Sequence, residues 1–287
     1  MESPKKLLRL GDKLLDLRRP RLMGILNVTP DSFYDGGRYH QEEAILSTAA
    51  QMRAEGADVI DVGGYSTRPG AADVPLEEEL HRVLPVIRLL KHHFPELPLS
   101  IDTFHSEVAR QAVAAGAVWV NDVSGGQADP EMFATVAALQ VPYVLMHMRG
   151  TPQTMAQATQ YQDFMSEICR YFGKRVYQLQ ELGVKDIVLD VGFGFAKNLK
   201  QNYYLLRHLH VFEELGLPLL VGVSRKSMIY KVLESSPAEA LNGTTALHML
   251  ALQNGAAWLR VHDVKAASEA IRLWTLYAQA QQTDVIN

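Results

Sequence analysis

The chain has 287 residues, 47% of them hydrophobic and 21% charged, a balance that supports a sizeable core and excludes a disordered or collagenous polymer. Its 28 Lys plus Arg against 32 Asp plus Glu leave a formal charge of −4, which gives nucleic acid or an anionic membrane surface no general attraction. The one cysteine, Cys169, excludes an intramolecular disulfide and reads as an inert thiol in a reducing, cytoplasmic setting.

Residues 1–21 mix Lys, Arg, Asp and Leu without the apolar run of a secretory signal; they read as a lead-in, with 13–21 covering one end of the fold. A first apolar run at 22–27 reads as a strand and is followed by a helical stretch at 41–55. The pairing then repeats: 57–62 with 76–94, 99–102 with 107–115, 119–122 with 131–140, and 142–147 with 161–182. It continues with 186–190 and 201–215, 218–223 and 238–253, and 257–262 and 264–281. The longest uncharged stretch, 240–259, contains Asn242, Gly243, His248, Gln253, Asn254 and Gly255, so no membrane span is expected.

The short runs are continuous in Val, Leu and Ile instead of alternating, as strands buried on both faces of a parallel sheet must be. Eight such units predict one α/β domain over residues 1–287, a (β/α)8 TIM barrel beginning at about residue 22. An open doubly wound sheet satisfies the same periodicity. The runs finish in polar residues: Asn27, Asp61, Asp102, Asn121 with Asp122, His147, Asp190, Ser224, and Arg260 with His262. In a barrel those ends share the face on which active sites are built.

Two connections, 28–40 and 63–75, are long and rich in Gly and Pro, and read as functional lids. Alternation puts Arg260 and His262 on one side, just before a helix, a position suited to an anion. Lys226 and Ser227 begin the segment after the seventh run and suit a carboxylate. Asp190 ends an apolar strand and needs a cation such as Lys226, or a ligand, beside it. His147 has no partner at metal-ligand spacing and reads as structural.

MGILNVTPDSFYDGG at 23–37, DVGGYSTRPGA at 61–71, SIDT at 100–103 and NDVSG at 121–125 occur in order. LMHMRGTPQTM at 145–155, LDVGFGFAKN at 189–198, GVSRKSMI at 222–229 and RVHDV at 260–264 follow. This series resembles the dihydropteroate synthase family. The resemblance implies a transferase of folate biosynthesis that joins a dihydropterin methyl diphosphate to 4-aminobenzoate by an SN1-like substitution and releases pyrophosphate. It implies that the pterin meets Asp102, Asn121, Asp190 and Lys226, with Met146 and Phe195 against its faces. By the same resemblance, Asn27, Thr67, Arg260 and His262 meet the diphosphate, and Asn27 is the protein ligand of Mg²⁺. Phe33, Ser66, Arg68, Pro69, Lys226 and Ser227 meet 4-aminobenzoate, and Asp31 closes over the reacting carbon. Catalysis falls to Asp31, Lys226, Arg260 and His262, and the family is commonly a homodimer and a sulfonamide target.

Two positions depart from the family pattern. Tyr65 stands where a Glu is common, which removes a charge expected near the mouth, and Val191 stands where a Pro is common. A pterin-dependent methyltransferase barrel and a catalytically silent paralogue share parts of this pattern. The former has no need of the SRK and RVHD segments, and the latter none of the diphosphate groups.

Overall fold

The computed structural model describes residues 7–28, 37–65, 74–151 and 154–280. Eight parallel strands close into a barrel in the order β10-β3-β4-β5-β6-β7-β8-β9. These strands are β3 (Arg21–Asn27), β4 (Val59–Gly63), β5 (Leu99–Asp102), β6 (Trp119–Asp122), β7 (Tyr143–Met146), β8 (Ile187–Asp190), β9 (Leu219–Val221) and β10 (Ala256–Val261). The TIM barrel is therefore closed, and the open-sheet alternative is excluded by the pairing of β10 with both β3 and β9.

The helices between the strands are α1 (Gly37–Glu55), α2 (Leu76–His93), α3 (Ser106–Ala114), α4 (Met132–Leu139) and α5 (Phe164–Glu181). They continue with α6 (Leu199–Arg207), α7 (Ser227–Tyr230), α8 (Leu241–Gln253) and α9 (Val264–Gln279). Ile60, Val62, Ile101 and Leu189 face outward and pack in one core with α2 residues such as Val83 and Ile87. The expected single helix at 201–215 is divided: α6 stops at Arg207, and residues Leu209–Leu215 form a 3-10 turn that ends at Gly216. The start of α6 is set by Asn198 and Gln201, whose side chains each accept from the other's backbone N–H in a capping box. The one-turn helix α7 carries too short a pattern to be seen in the sequence.

The lead-in is an antiparallel hairpin, β1 (Leu7–Leu10) and β2 (Lys13–Asp16). Its period of two buries Leu8 and Leu10 and exposes Leu7 and Arg9. Leu8, Leu10 and Leu17 pack against Met23, Val59, Trp119, Val144, Val188, Leu220 and Trp258, the inward residues of the lower barrel. Trp119 and Trp258 meet edge to face at 4.8 Å, so this end is a packed plug. The expected cover over 13–21 thus begins earlier, at Leu7. Among the described residues no helix is long and apolar enough to cross a membrane.

Candidate active site

Two residues further along six of the strands, the inward positions become mostly polar or charged, with Met146 remaining apolar. Trp258 is succeeded by Arg260, Trp119 by Asn121, Val59 by Asp61, Ser100 by Asp102, Val144 by Met146 and Val188 by Asp190. The period of two carries all six to the same inward face, at the C-terminal end of the barrel. Register brings them to neighbouring heights: Asn27 lies opposite Gly63, Gly63 opposite Asp102, and Asp102 opposite Asn121. Met146 lies opposite Asp190. Asn27 Oδ1 and Asp102 Oδ2 each lie 3.6 Å from the point where a Cβ on Gly63 would stand, so the two oxygens border the same space above Gly63.

Arg260 is the hub. Its Nε donates to Asp61 Oδ2 at 2.7 Å and its Nη2 donates to Asp102 Oδ2 at 2.6 Å. Asn121 Nδ2 also donates to Asp61 Oδ2, at 2.8 Å, while Asp61 Oδ1 is buried without a hydrogen-bond partner. Burial pushes the Asp102 carboxyl up to about 7 against the pull of Arg260. Burial alone would lower the Arg260 pKa, but Asp61 and Asp102 more than offset it, so this guanidinium stays charged. Besides the anion contact that the resemblance implies, the half-buried Arg260 thus pairs with two carboxylates of neighbouring strands.

Asp190 occupies the opposite wall. Its Oδ1 accepts from the Gly192 N–H at 2.7 Å, and burial raises its pKa in spite of the nearby Lys226. Lys226 is half-buried; its ammonium donates to the Phe193 carbonyl and stands 4.7 Å from the Phe195 ring centroid. Burial lowers its pKa to about 8, which keeps it mostly charged at neutrality. Met146 and Phe195 join Val123, Met148, Met155 and Ala196 in a small apolar cluster separate from the main core. On this wall charged and apolar groups are interleaved, Met146 beside Asp190 in register and Phe195 against the Lys226 ammonium.

Two details of the sequence reading change. The helix beginning at Ser227 has four residues, so its dipole is small, and attraction of a carboxylate here rests on Lys226. At the N-terminus of α9, Asp263 holds the N-cap position without a side-chain capping bond, and the Lys265 N–H donates to Glu55 Oε2 at 3.2 Å. The Asp263 carboxylate is held in a bidentate pair by Arg225 at 2.8 Å for both bonds. His262 is exposed, and Ser224 Oγ sits 3.0 Å from its Nδ1 and accepts from its backbone N–H. Tyr65 is buried edge-on against Phe104 at 4.9 Å, so it packs where a charge near the mouth was expected. Asp31, Phe33, Ser66, Thr67, Arg68 and Pro69 lie outside the described residues.

The sequence reading gives no role to three residues that build this end, Asp61, Arg225 and Lys197. Asp61 was visible as a polar residue in an apolar run, and its place at a strand end was the available signal. Arg225 and Lys197 lay within matched motifs, but nothing local marks either as buried or bonded.

The model of the family described as pterin binding enzyme matches residues 23–262. Dihydropteroate synthase of Synechocystis is 46% identical over 270 residues, covering 93% of each chain. That of Escherichia coli K12 is 46% identical over 261 residues, covering 90% of this chain and 92% of its own. A crystal structure of the Yersinia pestis enzyme with a sulfonamide drug complex superposes with a TM-score of 0.89 at 42% identity, covering 96% of this chain and 100% of that one. The Xanthomonas albilineans enzyme with 4-aminobenzoic acid gives 0.89 at 44% identity, covering 98% of this chain and 100% of that one. A closed barrel whose mouth gathers Asp102, Asn121, Asp190, Lys226 and Arg260, taken with these likenesses, shows that the chain belongs to the dihydropteroate synthase family of pterin-binding enzymes.

Proposed function

We propose that this enzyme joins 6-hydroxymethyl-7,8-dihydropterin diphosphate to 4-aminobenzoate, forming 7,8-dihydropteroate and pyrophosphate. The observation that carries the reading is a mouth that sets hydrogen-bonding groups beside apolar ones: Asp190 is paired in register with Met146, and the Lys226 ammonium stands 4.7 Å from the Phe195 ring centroid. A flat heterocycle with a polar edge needs both. Asp190 and Asp102 accept from the N–H groups of the pterin edge, Asn121 offers its amide oxygen, and Lys226 donates to ring acceptors. With Nε and Nη2 of Arg260 committed to carboxylates, Nη1 remains for a phosphate oxygen, and His262 and Thr67 complete the diphosphate contacts.

The reaction breaks the bond from the pterin methylene carbon to the diphosphate oxygen, and the electron pair leaves with pyrophosphate. The cation is delocalised over the dihydropterin ring until the arylamine nitrogen attacks; the new C–N bond then sheds a proton. Charge grows on the leaving group, so Arg260 and His262 act most strongly in the transition state. Lys226 and Ser227 hold the carboxylate of 4-aminobenzoate, with Phe33, Ser66, Arg68 and Pro69 about its ring. Asp31 and the two long connections exclude water from the cation.

The residues fit a magnesium ion carried by the diphosphate. The oxygens of Asn27 and Asp102 that border the space above Gly63 are hard donors of the kind Mg²⁺ takes. Among the described residues no group of three His, Cys, Asp or Glu converges, so Asn27 would hold an ion whose other ligands are phosphate and water. When bound, Mg²⁺ neutralises charge on the departing pyrophosphate.

Release of pyrophosphate, measured with and without 4-aminobenzoate and Mg²⁺, tests the reading. The expected result is release that depends on both, with 7,8-dihydropteroate identified by mass; no product from the two substrates overturns it. We also place the reaction in the cytoplasm, which the single thiol Cys169 suits. The exposed Leu250 of α8 and Leu273, Leu276 and Tyr277 of α9 support pairing with a second copy. Sedimentation should give the mass of a dimer, and Leu276→Glu should shift it toward the monomer.

A further inference from the structure

We propose that Lys197, held by His147, is a positioning residue that fixes the wall of the pterin site by shaping the 192–196 loop. Lys197 is buried, and its ammonium sits at the centre of a cage. Its Nζ lies 3.0 Å from His147 Nδ1, from the Gly192 carbonyl oxygen and from the Phe195 carbonyl oxygen, with the His147 carbonyl further off at 3.4 Å. Three acceptors at hydrogen-bond distance match the three donors of an ammonium, whereas a neutral amine has two and would leave one acceptor unmet. His147 is itself buried, and burial beside this cation holds its imidazole neutral, with a pKa lowered to about 2. Nδ1 is therefore the acceptor and the ring proton resides on Nε2.

What the cage holds is a backbone that would not keep this shape unaided. Gly192, Gly194 and Ala196 have φ of 69°, 82° and 50°, so every second residue takes the left-handed conformation. At Gly192 the chain passes so close to the His147 carbonyl that a Cβ would lie 2.2 Å from its oxygen. The same five residues, 192–196, carry three contacts of the site. The Gly192 N–H donates to Asp190, the Phe193 carbonyl accepts from Lys226, and the Phe195 ring lies beneath the Lys226 ammonium. Lys197 grips this loop at Gly192 and Phe195, on either side of the residue that binds Lys226. Burial lowers the Lys197 pKa to about 7 and raises that of Asp190, and the attraction between the two opposes both shifts. Removing the ammonium frees the loop, and Phe195 and Lys226 lose their common reference.

The inference rests on the pterin reading of this pocket, so the native enzyme is the first control. If the native chain neither binds pterin diphosphate nor makes product, that reading fails and not this one. Lys197→Met keeps the length of the side chain and removes its donors. Calorimetry with pterin diphosphate should show affinity weakened about tenfold or more, the scale expected of a displaced binding group. The KM for pterin diphosphate should rise, while that for 4-aminobenzoate stays within about twofold. A merely structural loss lowers the amount of active enzyme and leaves both KM values alone. From the other side, His147→Leu should reproduce the defect and His147→Gln, which retains an acceptor, should recover part of it. The double variant His147→Leu with Lys197→Met should be little worse than either alone. Native affinity in Lys197→Met, or equal affinities in His147→Leu and His147→Gln, overturns the proposal. So does failure of both Lys197→Met and His147→Leu to fold, since the pair would then serve the fold.

Discussion

The two ends of the barrel use the same eight strands for opposite purposes. At the floor, inward side chains are apolar and large, and the hairpin residues Leu8 and Leu10 close the opening. One inward position higher, the same strands bury Asp61, Asp102, Asn121 and Asp190. The floor gains stability from excluding water, at roughly 25 cal/mol per Å² of apolar surface. The rim gives up some of that stability, because buried carboxylates are costly even when paired. Asp61 Oδ1 is buried without a partner among the described residues, as are Ser100 Oγ and the indole N–H groups of Trp119 and Trp258 at the lower inward positions. What sets the rim apart is its charge, carboxylates and a guanidinium that a polar ligand edge can meet.

The contrast breaks or sharpens with substitutions at either end. The largest effect is expected of Asp190→Ala, which should abolish pterin-diphosphate binding in calorimetry; the urea midpoint should also fall, because the Gly192 N–H and the nearby Lys197 and Lys226 lose a partner, but the chain should remain folded. Unchanged binding would move Asp190 from the site to the scaffold. Trp258→Ala at the floor should do the reverse, costing about 3–5 kcal/mol of stability in urea unfolding while the folded fraction keeps its KM values. A catalytic defect without loss of stability would show that the two ends are not separable.

Arg260→Ala should lower turnover by roughly 10²-fold or more in the pyrophosphate-release assay. It should also destabilise the chain, since Asp61 and Asp102 lose their cation. Near-normal turnover would remove the leaving-group argument. The smallest effect concerns His248 on α8, which is buried away from the rim and has its pKa lowered by burial from 6.5 to about 4. The unfolded chain takes up this proton first, so the contribution is complete above pH 6.5 and is lost as pH falls through that window. The loss should be about 1 kcal/mol per pH unit, and His248→Gln should flatten the urea midpoint between pH 6.5 and 4.5. An unchanged slope in that variant would mean that other groups set the acid sensitivity.

Strand ends were readable because parallel strands buried on both faces have a plain composition, against which Asp102, Asn121 and Asp190 stand out. The same signal was present for Asp61, yet its task is to hold Arg260 and Asn121, and a partner from another strand is not written in local sequence. Lys197 was harder still. A lysine in a Gly-rich run looks like a solvated loop residue, and only the turn of the chain through Gly192, Gly194 and Ala196 folds three acceptors around it. The hairpin carried a clear alternation at Leu7–Leu10 but was read as a plain lead-in from residue 13, because two short strands are weak signals without the barrel they cover.

By itself the sequence determined the alternation of parallel strands and helices and the chemical identity of the residues at the strand ends, since periodicity and composition are local properties, while closure of the sheet rests on the pairing of β10 with β3 and β9. Tertiary structure alone decided which of those residues meet. Ring closure brings Arg260 of the last strand to Asp61 and Asp102, 199 and 158 positions away in the chain. Such pairings depend on register and barrel curvature, which act across the sheet and leave no mark in any short window of sequence.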